Sequence, residues 1–187
     1  MQRRRLALFG GSFDPPHVGH LMVASYVLAT NKLDGLLVVP CPKHPLGKPL
    51  TPWRHRDAMC RLAFQDLAGV VISDIEQRLG PPTRTIRTVE HLLSENPDMV
   101  LSLVVGADIL DEVHRWEQWD RLVTLVDLVV VGRGLAGGRV RVPDVASSDV
   151  RMALMRDEDV SDLIPWRVLE YIRAEGLYQT SPDTQKH

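Results

Sequence analysis

Residues 10–20 read Gly-Gly-Ser-Phe-Asp-Pro-Pro-His-Val-Gly-His, and this run holds the groups best suited to chemistry. Gly10 and Gly11 allow a phosphate to approach backbone with no side chain in the way. A helix beginning near Val18 turns its positive dipole end and its first N–H groups toward the same place. His17 and His20 stand three residues apart and so share one face of that first turn. Gly19 between them leaves room for a ligand against the helix. Two imidazoles beside a helix N-terminus suit a triphosphate, because each can donate to a non-bridging oxygen as charge builds there. A pair that only caps or packs a helix is the plainer alternative. Zinc is a weaker one, since no third ligand stands at a recognisable spacing. No covalent nucleophile is evident, for Cys41 and Cys60 lie outside the run and the serines have no obvious base.

Other segments carry groups that could meet a phosphorylated ligand. Ala146-Ser147-Ser148-Asp149-Val150-Arg151 reads as a helix start in which Ser147 or Ser148 caps the first turn. Its hydroxyls and N–H groups then face a phosphate, and Arg151, one turn in, can reach it with a charged fork. Alone, this segment is equally an ordinary cap followed by a surface arginine. Asp108, behind Gly106, can accept a ribose hydroxyl. Arg133 follows the next strand end. The loop from Cys41 to Pro52 offers Lys43, His44 and Lys48, all candidates for a phosphate contact. Trp116 can present an aromatic face to a cationic ring, and Trp119 stands nearby.

These groups need a scaffold, and the hydrophobic pattern predicts one. Leu6–Phe9 is a short apolar run closed by Gly10-Gly11, a buried strand and a tight turn. Leu21, Ala24 and Leu28 recur at helical spacing and predict a helix over 18–30. Further strands are predicted at 36–39, 70–72, 100–105 and 128–131, with a last short one at 140–142. Helices are predicted at 53–68, 85–95, briefly after Gly106, and at 117–125, 148–155 and 165–174. This alternation implies an α/β fold: a Rossmann-like, doubly wound parallel sheet with right-handed crossovers, helices on both faces and a C-terminal helical segment. Ligands in such sheets bind beyond the carboxyl ends of the strands. The segments 10–20, 41–48, 106–108 and 132–133 all follow strands. The proline-rich loop 41–52 is long for a compact domain, which marks it as functional.

The 187 residues suit one domain, spanning 1–187 with a polar tail at 179–187. Hydrophobic residues are 44% and charged residues 25%, as in ordinary globular chains. A net charge of −2 argues against a polyanion-binding surface, so no nucleic-acid partner is expected, while a local basic pocket stays open. Two cysteines are too few for a disulfide framework and are read as reduced thiols of a cytoplasmic protein. Arg3-Arg4-Arg5 precedes an apolar run far too short for a signal peptide or a membrane span.

Residues 10–21 resemble the signature of bacterial nicotinate-nucleotide adenylyltransferases, within the wider His-x-Gly-His nucleotidyltransferase superfamily. Residues 146–151 resemble that family's Ile-Ser-Ser-Thr-x-Ile-Arg motif, with Asp149 where Thr is usual. Pro82-Thr83-Arg84-Thr85 resembles its Pro-Ser-Tyr-Thr, with Arg84 in place of tyrosine. Gly106-Ala107-Asp108 and Trp116 resemble its Gly-x-Asp and downstream Trp, and 163–178 resembles its closing helix with a Gly-Leu-Tyr end. The resemblance implies transfer of AMP from ATP to nicotinate mononucleotide, giving nicotinate adenine dinucleotide and pyrophosphate, with Mg²⁺ carried by ATP and no dedicated protein metal site. It implies that His17, His20 and Arg151 are catalytic. It further implies that Gly10, Gly11, Ser12, Gly106, Asp108, Arg133, Ser147, Ser148 and Lys48 bind ATP or its phosphates, and that Phe13, Thr85 and Trp116 meet the acceptor. Nicotinamide mononucleotide or phosphopantetheine as acceptor, and a nucleotide sensor without turnover, are the alternatives.

Overall fold

The computed structural model describes residues 3–44, 47–82, 84–107, 113, 116–132, 143 and 145–179. Its elements run β1 (Arg5–Gly11), α1 (Val18–Thr30), β2 (Gly35–Pro40), α2 (Trp53–Phe64), β3 (Val70–Ile72), α3 (Ile75–Leu79), α4 (Thr85–Glu95), β4 (Val100–Gly106), α5 (Trp119–Leu125), β5 (Asp127–Val131), α6 (Ser147–Met155) and α7 (Trp166–Ala174). The strands form a parallel sheet in the order β3-β2-β1-β4-β5. The chain winds outward from β1 in both directions, so the sheet is doubly wound as the alternation implies. Among the described residues no helix is long and apolar enough to cross a membrane.

The strands are buried on both faces, which is why they read as unbroken apolar runs. Side chains alternate between two cores. Leu6, Leu8, Leu101, Leu103 and Val105 pack with Ile75 of α3, Ile86, Val89 and Leu92 of α4, and Leu122 of α5. Ala7, Leu36, Val38 and Val104 face the other way. They meet Ala24 and Val27 of α1, Met59 and Ala63 of α2, Val150 of α6, and Val168 and Ile172 of α7. Helices that cover both faces leave the carboxyl edge of the sheet as the open side.

Several boundaries differ from those the sequence pattern predicts. β1 continues through Gly10 and Gly11, which pair with Val39 and Pro40 instead of opening a turn. α2 ends at Phe64, four residues before Ala68. α3 was not anticipated, because five residues are too few to show a helical period. The strand predicted at 140–142 lies outside the described residues, as does most of the short helix predicted after Gly106. α7 closes at Gly176, whose φ of +60° suits glycine. There the Gly176 and Leu177 N–H groups return to the carbonyls of Arg173 and Ile172, a Schellman turn.

Candidate active site

β1 lies between β2 and β4, and the connections leave it toward opposite sides of the sheet. That is the switch point at which an open α/β sheet forms its ligand crevice. A cleft of about 410 Å³, including its open mouth, lies there; His17, Gly19, His20, Val104, Gly106 and Val131 are among its lining residues. Gly10 is exposed, and a Cβ added there would meet nothing within 4 Å. Internal packing therefore does not require glycine at this position, and the backbone there stands open.

His17 is the N-cap of α1 and is buried, with 6% of its surface exposed. Its backbone N–H donates to Nδ1 of His20 at 3.1 Å. This is half of a capping box, with an imidazole where Glu or Gln is usual. An accepting Nδ1 places the proton of the neutral His20 ring on Nε2. The two rings stack with centroids 3.8 Å apart. Three of the expected features change here. The space beside Gly19 belongs to the His17 ring, since a Cβ on Gly19 would sit 3.0 Å from its Nδ1. The Val18 N–H is engaged by the Leu163 carbonyl at 2.9 Å, so the imidazoles, rather than a row of open N–H groups, define this end of α1. Phe13 has a ring only 1% exposed, packed against Phe9, His20 and Phe64. That ring has no face for an acceptor; it supports His20 from below instead.

Arg151 reaches the motif from α6. Its guanidinium donates to the Asp14 carbonyl and lies 4.0 Å from the Asp14 carboxylate, and its side chain is about one-third exposed. Ser147 is tied in as well, its hydroxyl donating to the Pro15 carbonyl at 2.9 Å. Neither serine is the helix cap: that position is Ala146, and Ser147 and Ser148 are the first helical residues. Ser148 is exposed and its hydroxyl lies 3.3 Å from the Asp149 carboxylate. Gly106 ends β4 and lines the cleft. Asp108 and Arg133 lie outside the described residues. Ser12 is half-buried, and its backbone carbonyl accepts from Arg56.

The loop 41–52 is anchored at both ends. Trp53 Nε1 donates to the Pro40 carbonyl, and the Thr51 N–H to the Asp14 carboxylate at 3.2 Å. Arg56, fully buried on α2, donates to the carbonyls of Thr51, Ser12 and Pro42. Lys43 and Lys48 are exposed. Burial and the nearby Lys48 ammonium hold the His44 imidazole below its usual range. Thr85 opens α4, and Trp116 stands in the β4–α5 connection, edge-to-face with Trp119 at 5.8 Å. Neither lines the cleft beside the histidines. Arg84, beside Thr85, bonds Glu117, beside Trp116, at 2.8 Å, so the departure from tyrosine at 84 ties the two acceptor candidates together. Among the described residues no cluster of three or more His, Cys, Asp or Glu could hold a metal ion.

Sequence reasoning passed over Asp14, Arg56 and Tyr178. The Tyr178 hydroxyl donates to Asp14 at 2.6 Å across 164 residues of chain. Asp14 is within the quoted motif, and a buried carboxylate there was the available signal; the other two partners are legible only in the folded chain.

Comparison with known proteins places the chain in a family. Residues 8–163 match the family model described as cytidylyltransferase-like. A probable nicotinate-nucleotide adenylyltransferase of Anaeromyxobacter dehalogenans is 43% identical over 182 residues, 94% of this chain and 97% of its own. One from Myxococcus xanthus is 40% identical over 179 residues, covering 93% and 94%. The structure of a Plasmodium falciparum nicotinic acid mononucleotide adenylyltransferase complexed with NaAD superposes with a TM-score of 0.80 at 21% identity, over 94% of this chain and 97% of that one, and shows the shared fold. The chain belongs to the cytidylyltransferase-like nucleotidyltransferases and, within them, to the nicotinate-nucleotide adenylyltransferase family.

Proposed function

We propose that this enzyme transfers the adenylyl group of Mg·ATP to the 5′-phosphate of nicotinate mononucleotide. A phosphate oxygen of the acceptor attacks the α-phosphorus in line, and the bond to the β,γ-pyrophosphate breaks. The acceptor phosphate is already ionised near neutral pH and needs little help from a base. Catalysis is then positioning and charge neutralisation. The observation that carries this reading is the stacked His17–His20 pair at the start of α1, lining the cleft at the switch point of the sheet. The Nε2–H of His20 donates to a non-bridging phosphate oxygen, and Arg151 supplies a fixed positive charge from α6. Gly10, Gly11, Ser12 and Ser147 line the phosphate path, with Ser148, Gly106 and Lys48 at its rim; ATP-binding roles for Asp108 and Arg133 rest on the sequence alone. Thr85 and Trp116 hold the pyridine end of the acceptor, the ring stacking on Trp116. Mg²⁺ arrives with the triphosphate as part of the substrate, and the reaction takes place in the cytoplasm.

Pyrophosphate release from Mg·ATP, with nicotinate mononucleotide, nicotinamide mononucleotide and phosphopantetheine compared side by side, tests this. A strong preference for nicotinate mononucleotide is expected. Activity with phosphopantetheine alone would keep the phosphate site and overturn the roles of Thr85 and Trp116.

A further inference from the structure

The C-terminal Gly-Leu-Tyr end reads in sequence as structural, yet it terminates on the nucleotide-binding motif. The Schellman turn at Gly176 reverses the chain, and Tyr178 follows at a φ of +59°. Its hydroxyl donates to Oδ1 of Asp14 at 2.6 Å. Burial and the adjacent Asp14 carboxylate push the Tyr178 phenol well above its usual range, so it stays a donor at every physiological pH. Asp14 is 2% exposed, and three groups converge on it from separate parts of the chain. Oδ2 accepts the Thr51 N–H at the end of the proline-rich loop, Arg151 lies against Oδ2 and the carbonyl, and Tyr178 holds Oδ1. A carboxylate held on both oxygens by fixed donors cannot rotate away from Arg151. Without the Tyr178 bond, one oxygen of a buried anion loses its donor, and Asp14 must turn toward another.

Resting on the reading of Arg151 as a phosphate ligand, we infer that Tyr178 is a positioning residue for adenylyl transfer: its hydroxyl locks Asp14, and Asp14 in turn aims the Arg151 guanidinium at the phosphates. The bond joins the turn that closes α7 to the β1–α1 loop, so this turn acts on turnover and not only on stability.

A double-mutant cycle with kcat/KM for ATP as the readout tests this. Tyr178→Phe keeps the ring and removes only the hydroxyl. The expected loss is about tenfold in the natural background and within about twofold in an Arg151→Ala background, since a lost aim matters only when there is an arginine to aim. Leu177→Ala trims packing from the same turn and is the control for general destabilisation; its effect should be equal in both backgrounds. Equal losses from Tyr178→Phe in both backgrounds, no loss in either, or a Tyr178→Phe chain that fails to fold would each overturn the inference and leave Tyr178 structural. Full activity in Arg151→Ala alone would instead overturn the phosphate role of Arg151, and the inference with it.

Discussion

His20 carries several relationships at once. Its Nδ1 accepts the His17 N–H, its ring stacks on His17, and Phe13 packs against it from the core side. Each contact removes a freedom the ring would otherwise have, so its orientation is fixed by the fold. Preorganised donors of this kind are costly to lose in a transition state that gathers charge. His20→Ala should lower kcat/KM on the order of 10²–10⁴-fold, while circular dichroism and melting temperature stay near those of the natural protein. Near-normal turnover in that folded variant would remove His20 from the mechanism.

At the scale of elements, the β1–α1 loop and the proline-rich loop are joined by the Asp14–Thr51 bond and by one buried guanidinium. Arg56 is 0% exposed on α2 and donates to the carbonyls of Ser12, Pro42 and Thr51. Those carbonyls belong to the β1–α1 loop and to both ends of the proline-rich loop, so one guanidinium holds these segments at a fixed spacing. Arg56→Met takes the donor from the carbonyls of Ser12, Pro42 and Thr51. It should cost about 2 kcal/mol or more of stability in a urea titration, given roughly 1–3 kcal/mol for each buried group left unpaired, and it should reduce turnover as well. A change below about 0.5 kcal/mol would show that the loops hold their spacing without it. On the opposite face, Glu76 of α3 accepts from the Thr88 hydroxyl of α4 at 3.2 Å. Burial raises its pKa above the usual carboxylate value. An acid whose folded pKa lies above its unfolded one destabilises the fold once ionised; that cost is absent below the unfolded pKa and fully present above the folded one. Glu76→Gln should therefore raise the urea midpoint at pH 7, with the gain fading as the pH falls through the carboxylate range. An unchanged midpoint at pH 7 would contradict this.

At the scale of the molecule, the sheet keeps its two cores apart and its open side at one edge. Cys60 is fully buried in the core that contains α2 and α7, and burial raises its thiol pKa well above the usual value. Cys41, 7% exposed at the end of β2, is raised for the same leading reason. A thiol that is both buried and protonated is a poor nucleophile. Neither cysteine should react with a thiol reagent at neutral pH until the protein unfolds, and labelling should track urea denaturation. Rapid stoichiometric labelling of the native protein would show that the core opens locally. Saturating Mg·ATP should slow labelling further, because binding to the folded state alone stabilises it, by about 2.7 kcal/mol at a hundred times Kd.

Much of this organisation is local, and local organisation is legible in a sequence. The apolar runs of β1, β2 and β4 must be buried on both sides, and α1 and α4 begin and end where their patterns place them. The motif at 10–20 and the segment at 146–151 could be picked out because each joins a strand or loop to a helix start, a unit that one stretch of chain defines by itself. Only the tertiary structure decided the rest. Whether Gly19 makes room for a ligand or for His17, whether Phe13 faces the acceptor or the core, and which residue caps α6 depend on neighbours brought in from elsewhere. Asp14, Thr51, Arg56, Arg151 and Tyr178 are spread over most of the chain, and no periodicity links them. They meet because parallel strands deliver every following loop to the same edge of the sheet, and because a buried carboxylate and a buried guanidinium must find partners there.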